Sequence, residues 1–131
     1  MTGESPVTCL VVDDSRTVRK AARRILEKLG FTVAEAGDGA EALVACRASL
    51  PQAVLLDWNM PVMDGLQFLR AARAEFGPDQ PIVVLCTTEA ALAKIIEALG
   101  AGAQEYVMKP FDEAILRDKF IQAGLLRDQA A

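Results

Sequence analysis

Short apolar runs recur along this chain, separated by segments in which apolar residues fall three and four positions apart. A nearly continuous apolar run, without the alternation of a half-exposed strand, is typical of a strand buried on both faces. We therefore expect five strands, at residues 7–12, 32–36, 53–56, 82–86 and 105–108, of which 32–36 is the weaker one. Strands of this kind favour a sheet that is covered by helices on both sides.

A helical pattern follows each of the runs, and turn and capping residues stand near the expected helix ends. Gly30 is placed where the first helix would stop, and Asp38 followed by Glu41 resembles a capping box at the start of the second. The third helix is expected from Gly65 onward, and Asp112 is placed to cap the fifth. The apolar positions that mark the fourth helix are Leu92, Ile95, Ile96 and Leu99.

The alternation of strand and helix predicts an α/β fold. Five strand–helix pairs with short links form a doubly wound parallel sheet, in which right-handed crossovers place helices on both faces. The sequence has no internal repeat, low-complexity stretch or linker, so we expect residues 1–131 to form a single domain with a core over about 7–126.

Composition and charge narrow the possible functions. The chain of 131 residues contains no histidine, which excludes Ser-His-Asp and Cys-His catalysis, His-ligated zinc and a phosphohistidine carrier. A formal charge of −4 without a long basic run argues against nucleic acid or an anionic membrane as the main partner. No apolar run approaches the ~18 residues of a membrane span and no secretory signal is visible, so we expect a cytoplasmic protein.

Polar residues follow four of the five expected strands at the point where each strand ends. In an open parallel sheet, ligands bind at the carboxyl ends of the strands, near the switch point in strand order. The residues brought to this edge are Asp13 and Asp14 after the first strand, Asp57 after the third, Thr87 and Thr88 after the fourth, and Lys109 after the fifth. One shared site would account for all of them together.

Each of these residues also has a structural explanation of its own. Asp14 or Ser15 could cap the first helix, Thr87 could cap the fourth, and Lys109 could be a solvated lysine near a turn. Asp57 is the hardest to explain in this way, because an apolar strand runs directly into it. The separate structural explanations would all have to hold independently, whereas one shared site accounts for all of these residues at once. We therefore favour the shared site.

The chemistry of the set indicates a bound cation and a bound anion. Two carboxylates about 4 Å apart repel by about 4 kcal/mol at an effective dielectric constant of ~20, so three at one edge favour a divalent cation among them. Oxygen ligands with room for water suit Mg²⁺ better than zinc or copper. The ammonium of Lys109 and the hydroxyl of Thr87 would complete a site for a tetrahedral dianion attached to the Asp57 carboxylate.

Several segments carry motifs that are specific in combination. They are Val11-Val12-Asp13-Asp14-Ser15, Asp57-Trp58-Asn59-Met60-Pro61 with Asp64-Gly65, Thr87, Gly100-Ala101-Gly102-Ala103, and Tyr106-Val107-Met108-Lys109-Pro110-Phe111. With these motifs the sequence resembles the receiver domain of two-component response regulators, most of all the free-standing chemotaxis type, from about Thr8 to Leu126. The resemblance implies a flavodoxin-like sheet of five strands in the order 2-1-3-4-5, flanked by five helices.

The resemblance implies a role for each matched site residue. Asp57 would be the nucleophile that takes the phosphoryl group from a phosphohistidine of a partner histidine kinase. Asp14 and Asp57, with the backbone carbonyl of Asn59, would bind Mg²⁺ directly, and Asp13 would bind it through water. Lys109 would pair with the phosphoryl oxygens. The protein would be a signalling phosphoacceptor and not an enzyme, since it would catalyse only its own phosphorylation and dephosphorylation.

The same resemblance implies a switch and a lifetime. Thr87 would swing inward to hydrogen-bond the phosphoryl group, and Tyr106 would follow it from an exposed to a buried position. These movements would change the face formed by helix four, strand five and helix five. Asn59 and Glu89 match the positions that tune dephosphorylation, and their pairing predicts a phosphorylated state of short lifetime.

Three further features lie near the expected site. Trp58 is bulky beside Asp57 and could shape access to it or simply cover the loop. For Cys86, a buried strand cysteine is favoured over a redox role. The peptide bond between Lys109 and Pro110 is expected from the resemblance to be cis.

Two other protein classes share parts of this pattern. A magnesium-dependent phosphatase that forms an aspartyl phosphate would carry its nucleophile in a DxDx[TV] motif after the first strand, where this chain has Asp13-Asp14-Ser15. A flavin-binding module of the same topology would need a phosphate loop rich in Ser, Thr and Gly at that place. Both classes are disfavoured.

The output of such a receiver would pass through a partner protein. We expect no DNA-binding or enzymatic output domain after Leu126, and we expect a monomer. Binding to the flagellar switch in chemotaxis is the favoured pathway. The alternative is an intermediary of a phosphorelay or stress pathway, which passes phosphate to a phosphotransferase or drains it from a kinase.

Overall fold

The computed structural model describes residues 7–88 and 92–127, and its elements follow the expected alternation. The strands are β1 (Thr8–Val12), β2 (Thr32–Ala36), β3 (Ala53–Asp57), β4 (Ile82–Thr87) and β5 (Glu105–Met108). The helices are α1 (Arg16–Lys28), α2 (Gly39–Ala48), α3 (Gly65–Phe76), α4 (Leu92–Gly100) and α5 (Glu113–Gln122). Every predicted strand is present, and no strand end differs from its prediction by more than one residue.

The strands form one parallel sheet in the order β2-β1-β3-β4-β5, which confirms the doubly wound fold. Its register places Asp57 beside Cys86 and Thr87 beside Met108. The ends of β3, β4 and β5 therefore lie at one edge of the sheet, where the polar residues of the sequence were expected to meet.

Alternate residues of each strand enter two separate cores, one on each face of the sheet. On β3, Val54 and Leu56 pack with α2, α3 and α4, whereas Ala53 and Leu55 pack with α1 and α5. Phe68 is fully buried in the first of these cores and Phe120 in the second. Because both faces are covered, the strands read as continuous apolar runs in the sequence.

The first helix begins and ends where the sequence indicates. The hydroxyl of Ser15 accepts the N–H of Val18 and caps α1. At the other end Gly30 has a φ of 102°, and its N–H donates to the carbonyl of Glu27. This left-handed conformation is costly for residues with a Cβ, so the prediction that Gly30 ends the helix is confirmed.

The capping box predicted for α2 is wrong in one of its two bonds. The carboxylate of Asp38 accepts the N–H of Glu41 as expected. The carboxylate of Glu41, however, accepts the N–H of Gly37, one residue before the cap. The φ of Asp38 is −159°, against −79° at Asp64, and this rotation about the N–Cα bond turns the N–H of Asp38 away from the direction that it has in a complete capping box. A complete capping box occurs instead at α3, between Asp64 and Gln67.

Helix α4 buries fewer apolar side chains than its sequence suggests. Ile95 faces the core, but Leu92, Ile96 and Leu99 are exposed. These three side chains form an apolar stripe on the outer surface of α4. In the parts of the chain that the structure describes, no helix is long and apolar enough to span a membrane.

Candidate functional site

Four strand ends supply the groups of the candidate site. The N–H of Asp13, just after β1, donates to the carbonyl of Ala36 on β2 at 3.1 Å and extends the ladder by one residue. Asp57 is the last residue of β3. The N–H of Lys109, just after β5, donates to the carbonyl of Thr87 at 3.0 Å. The backbone of the sheet thus holds Asp13, Asp57 and Lys109 directly, without an intervening loop.

Three carboxylates converge at this edge, as the sequence predicted. Asp13, Asp14 and Asp57 each place one oxygen so that the three atoms lie within 4.8 Å of one another. Asp13 and Asp57 are buried, with 3% and 7% of their surface exposed, and Asp14 faces solvent. Since Ser15 caps α1, Asp14 is not needed as a helix cap.

Lys109 bridges the two buried carboxylates. Its Nζ lies 2.7 Å from Oδ2 of Asp13 and 3.1 Å from Oδ1 of Asp57. Only 18% of its side chain is exposed, so the interpretation of Lys109 as a solvated lysine is wrong. Three negative charges against one positive charge leave two uncompensated negative charges, which is the charge that a divalent cation neutralises.

Backbone N–H groups and one arginine orient this cluster, and sequence reasoning missed them. Asp13 Oδ1 accepts the N–H of Ser15 at 2.9 Å, and Asp57 Oδ1 accepts the N–H of Trp58 at 2.9 Å. Arg19 donates from Nη1 to the carbonyl of Asp13 at 2.7 Å. These bonds depend on how the chain turns after each strand, for which the residue types carry no signal.

The surroundings of Asp57 set the protonation behaviour of the site. Burial raises the pKa of the Asp57 carboxyl, and the charge of Asp13 raises it further, whereas Lys109 and the N–H of Trp58 oppose the shift. Burial lowers the pKa of Lys109, but its hydrogen bond to Asp13 and the two carboxylate charges outweigh burial, and the pKa is raised overall. Lys109 therefore stays positively charged. A further positive charge at this site would lower the pKa of the Asp57 carboxyl and favour its ionised form.

Gly65 allows α3 to start against the back of the acceptor residue. Its N–H donates to the carbonyl of Trp58 at 2.9 Å. A Cβ at this position would collide with the carbonyl oxygen of Asp57. The glycine of the Asp64-Gly65 motif is thus required by a close approach of two backbone segments beside the site.

The remaining residues of the predicted site lie around this cluster. Thr87 is buried at the end of β4, and Thr88 after it is exposed. Asn59 is exposed in the loop that follows β3, and Tyr106 is half-buried on β5. Glu89, assigned to dephosphorylation, lies outside the described residues. The structure places these residues, while the roles given to Thr87, Asn59 and Tyr106 stay predictions.

The structure also describes the three further features near the site, which are Trp58, Cys86 and the peptide bond between Lys109 and Pro110. The ring of Trp58 is buried in the core below α2, α3 and α4, and the two roles considered for it, shaping access to Asp57 and covering the loop, stay predictions. Burial raises the pKa of the Cys86 thiol to about 12, with Lys109 opposing the shift, which makes this thiol unreactive and supports the buried-cysteine interpretation. The bond between Lys109 and Pro110 is cis.

A five-stranded parallel sheet with an acidic cluster and a lysine at its carboxyl edge defines the class of protein. Residues 9–121 match the family described as response regulator receiver domain. The chain belongs to this family, whose members are signalling proteins, and the family and fold predicted from the sequence are confirmed.

Individual relatives are chemotaxis proteins. The chain is 42% identical to chemotaxis protein CheY of Pseudomonas aeruginosa over 111 residues, which cover 84% of this chain and 90% of that protein. It is 40% identical to CheY1 of Helicobacter pylori strain J99 over 112 residues, with the same coverage of 84% and 90%. The solved structure of chemotaxis response regulator CheY4 of Vibrio cholerae has a TM-score of 0.85 at 30% identity, covering 91% of this chain and 99% of that one.

Proposed function

We propose that this protein is a phosphorylation-dependent switch in which Asp57 accepts a phosphoryl group from a histidine kinase with the help of Mg²⁺. One observation carries the proposal: Lys109 bridges two buried carboxylates at the same edge where a third carboxylate faces solvent. A solvent-accessible edge with two excess negative charges can bind a divalent cation. The cation and Lys109 together can then hold a phosphoryl dianion on Asp57.

The residues present fit Mg²⁺. Asp13, Asp14 and Asp57 offer only oxygen ligands, and the Asn59 carbonyl is the fourth group that we assign to the ion. A bound Mg²⁺ would neutralise charge on the phosphoryl oxygens. A structure titled as the CheX-CheY-BeF3-Mg²⁺ complex of Borrelia burgdorferi has a TM-score of 0.85 at 26% identity, covering 91% of this chain and 90% of that one, and supports this assignment.

The transfer step uses the acceptor carboxylate and the charges around it. A carboxylate oxygen of Asp57 attacks the phosphorus of the donor phosphohistidine, so that a P–O bond forms while the P–N bond breaks and the imidazole leaves with the nitrogen electron pair. Lys109 already lies beside the acceptor and would pair with the transferred phosphoryl oxygens. Thr87 would donate its hydroxyl to the phosphoryl group, and Tyr106 would move inward behind it.

Phosphorylation of Asp57 would change the surface formed by α4, β5 and α5, to which a partner protein would bind. Its apolar stripe of Leu92, Ile96 and Leu99 supplies exposed surface that a partner protein can cover. Tyr106 lies on β5, the strand of this face, so a movement of its ring would change the surface that a partner contacts.

Intact mass spectrometry tests the phosphoacceptor directly. The protein is incubated with acetyl phosphate and Mg²⁺, alongside Asp57→Asn, a metal-free sample and Asp79→Asn as a matched control at an exposed carboxylate. We expect one added phosphoryl group, which requires both Asp57 and Mg²⁺ and is unaffected by the control. The absence of any added group, with acetyl phosphate and also with the phosphorylated histidine kinases of the source organism, would contradict the proposal.

The names of the relatives favour chemotaxis as the pathway. The CheY of Pseudomonas aeruginosa and the CheY1 of Helicobacter pylori are chemotaxis proteins of similar length, which supports control of the flagellar switch over a phosphorelay or stress role. Deletion of the gene should therefore change swimming bias. Normal swimming combined with altered stress survival would point to the relay role instead.

The lifetime of the phosphorylated state is a separate proposal. Asn59 is exposed beside the acceptor, where it can influence the approach of water to the acyl phosphate. With Glu89 as its partner position, we propose rapid loss of phosphate. Decay of the phosphorylated protein, followed by mass, measures this, and a half-life of many hours would rule it out.

A further inference from the structure

Two charged side chains cover the outer edge of β5. This strand is the last in the sheet order, so no strand among the described residues pairs with that edge. The Glu105 carboxylate accepts the N–H of Tyr106 at 3.0 Å, and Nζ of Lys119 lies 3.3 Å from the same oxygen. The same Nζ lies 4.4 Å from the centre of the Tyr106 ring. We name this arrangement of Lys119 and Glu105 the edge clamp.

The edge clamp joins the two helical layers of the protein. The Tyr106 ring packs against the core below α2, α3 and α4, whereas α5 packs on the opposite core through Leu116 and Phe120. Lys119 of α5 therefore reaches round the edge of the sheet to contact the ring. Lys119 and Glu105 are half-buried, with 25% and 19% of their side chains exposed, so solvent competes only in part for their contact.

We propose that Lys119 is a positioning residue for Tyr106, and that the edge clamp holds the ring at the edge of β5 until phosphorylation of Asp57 releases it. This inference rests on the proposed function and names a regulation of the same site. A cation over an aromatic ring is attractive, so a movement of the ring away from Lys119 would lose that attraction. The edge clamp thus lowers the fraction of the unphosphorylated protein that adopts the active arrangement.

The composition of the chain makes this testable with one label. Tyr106 is the only tyrosine, so incorporation of 3-fluorotyrosine yields a single fluorine NMR signal from the residue in question. Lys119→Met keeps the unbranched stem and removes the charge, and Lys119→Arg keeps a cation that can lie over the ring. Lys28→Met, at an exposed lysine of α1, is the matched control. Circular dichroism establishes that each variant is folded.

The signal is recorded first without any phosphate analogue and then during titration with beryllofluoride in saturating Mg²⁺. In Lys119→Met we expect the starting signal to move toward the position that the wild type reaches at saturation. The beryllofluoride concentration at half-saturation should fall about two- to fivefold, as expected for the loss of a partly exposed cation–π contact that disfavours the competent state. Lys119→Arg and Lys28→Met should behave as the wild type.

The inference and the proposed function fail in different ways. A Lys119→Met fluorine signal at the wild-type position before titration overturns the edge clamp, whatever the response to beryllofluoride. Equal displacement of the signal by Lys119→Met and Lys119→Arg also overturns it, because the charge would then be irrelevant. A wild-type signal that does not respond to beryllofluoride and Mg²⁺ refutes the switch on which the inference rests.

Discussion

Replacement of Lys109 by Met removes the charge between Asp13 and Asp57 while keeping an unbranched side chain of similar length. The carboxylate oxygens of the acidic cluster lie within 4.8 Å of one another, and two unit charges at that separation repel by about 3.5 kcal/mol at an effective dielectric constant of ~20. Loss of one partner from a buried ion pair costs about 3–5 kcal/mol in other proteins. We therefore expect Lys109→Met to lower the free energy of unfolding by about 3–4 kcal/mol in the absence of metal.

Urea unfolding at neutral pH, followed by circular dichroism with a chelator and again with Mg²⁺, measures this effect. Mg²⁺ should restore more stability to Lys109→Met than it adds to the wild type, because a bound cation relieves carboxylate repulsion that Lys109 otherwise relieves in part. Lys28→Met, which removes an exposed lysine from an exposed ion pair, should change the free energy by less than about 0.5 kcal/mol.

Two results would refute this reasoning. If Lys109→Met were as stable as the wild type in chelator, the carboxylates would not be repelling one another as the geometry requires. If the variant were destabilised equally with and without Mg²⁺, the loss would come from packing of the side chain and not from its charge.

Three other changes test separate parts of the structure. Glu35 accepts hydrogen bonds from three basic side chains of α1, of which Lys20 contributes most, and its pKa is lowered to about 2. A lowered carboxyl pKa gives stability that is present above the ordinary value of 4.5 and is lost as pH falls through about 2. Urea unfolding should therefore show Glu35→Gln weaker by about 1–2 kcal/mol at neutral pH, with a difference from the wild type that shrinks as pH falls below 4.5. Gly65→Ala should cost about 2–3 kcal/mol in the same assay and slow phosphorylation, since its Cβ would displace the Asp57 backbone; unchanged unfolding would show that the approach is not close. Val62, a β-branched residue with a φ of 68° and 82% of its surface exposed, should gain about 1 kcal/mol of stability on replacement by Asn, and a lower melting temperature would contradict the strain.

The strands and the residues at their ends were predictable because a strand buried on both faces must be apolar until it leaves the sheet. The first residues after such a run are polar by necessity, and Asp13, Asp57 and Lys109 were identified in this way. The capping bond at Asp38 could be predicted, but the second bond of Glu41 could not, because it depends on the backbone angle before the helix.

The contacts of Lys109 and Lys119 could not be predicted from the sequence, for a different reason. Lys109 and Asp13 are 96 residues apart in the chain, and they meet only because the parallel sheet brings the carboxyl ends of β1 and β5 to the same edge. No role was predicted for Lys119, and its contact with Tyr106 depends on β5 being the last strand of the sheet. Residue types indicate that a lysine is present, but not which of many carboxylates or rings lies within its reach.

The sequence by itself determined the alternation of strands and helices, the two-faced burial of the sheet, and the presence of three carboxylates, a lysine and a threonine at strand ends. Local patterns suffice for these features, because hydrophobic burial and capping act on residues that are neighbours in the chain. Only the tertiary structure decided that Lys109 bridges the two buried carboxylates, that Asp14 alone of the three faces solvent, and that Lys119 holds Tyr106 from the opposite layer. Charge effects of this kind depend on distance and burial, and both are set by how the packed sheet brings remote residues together.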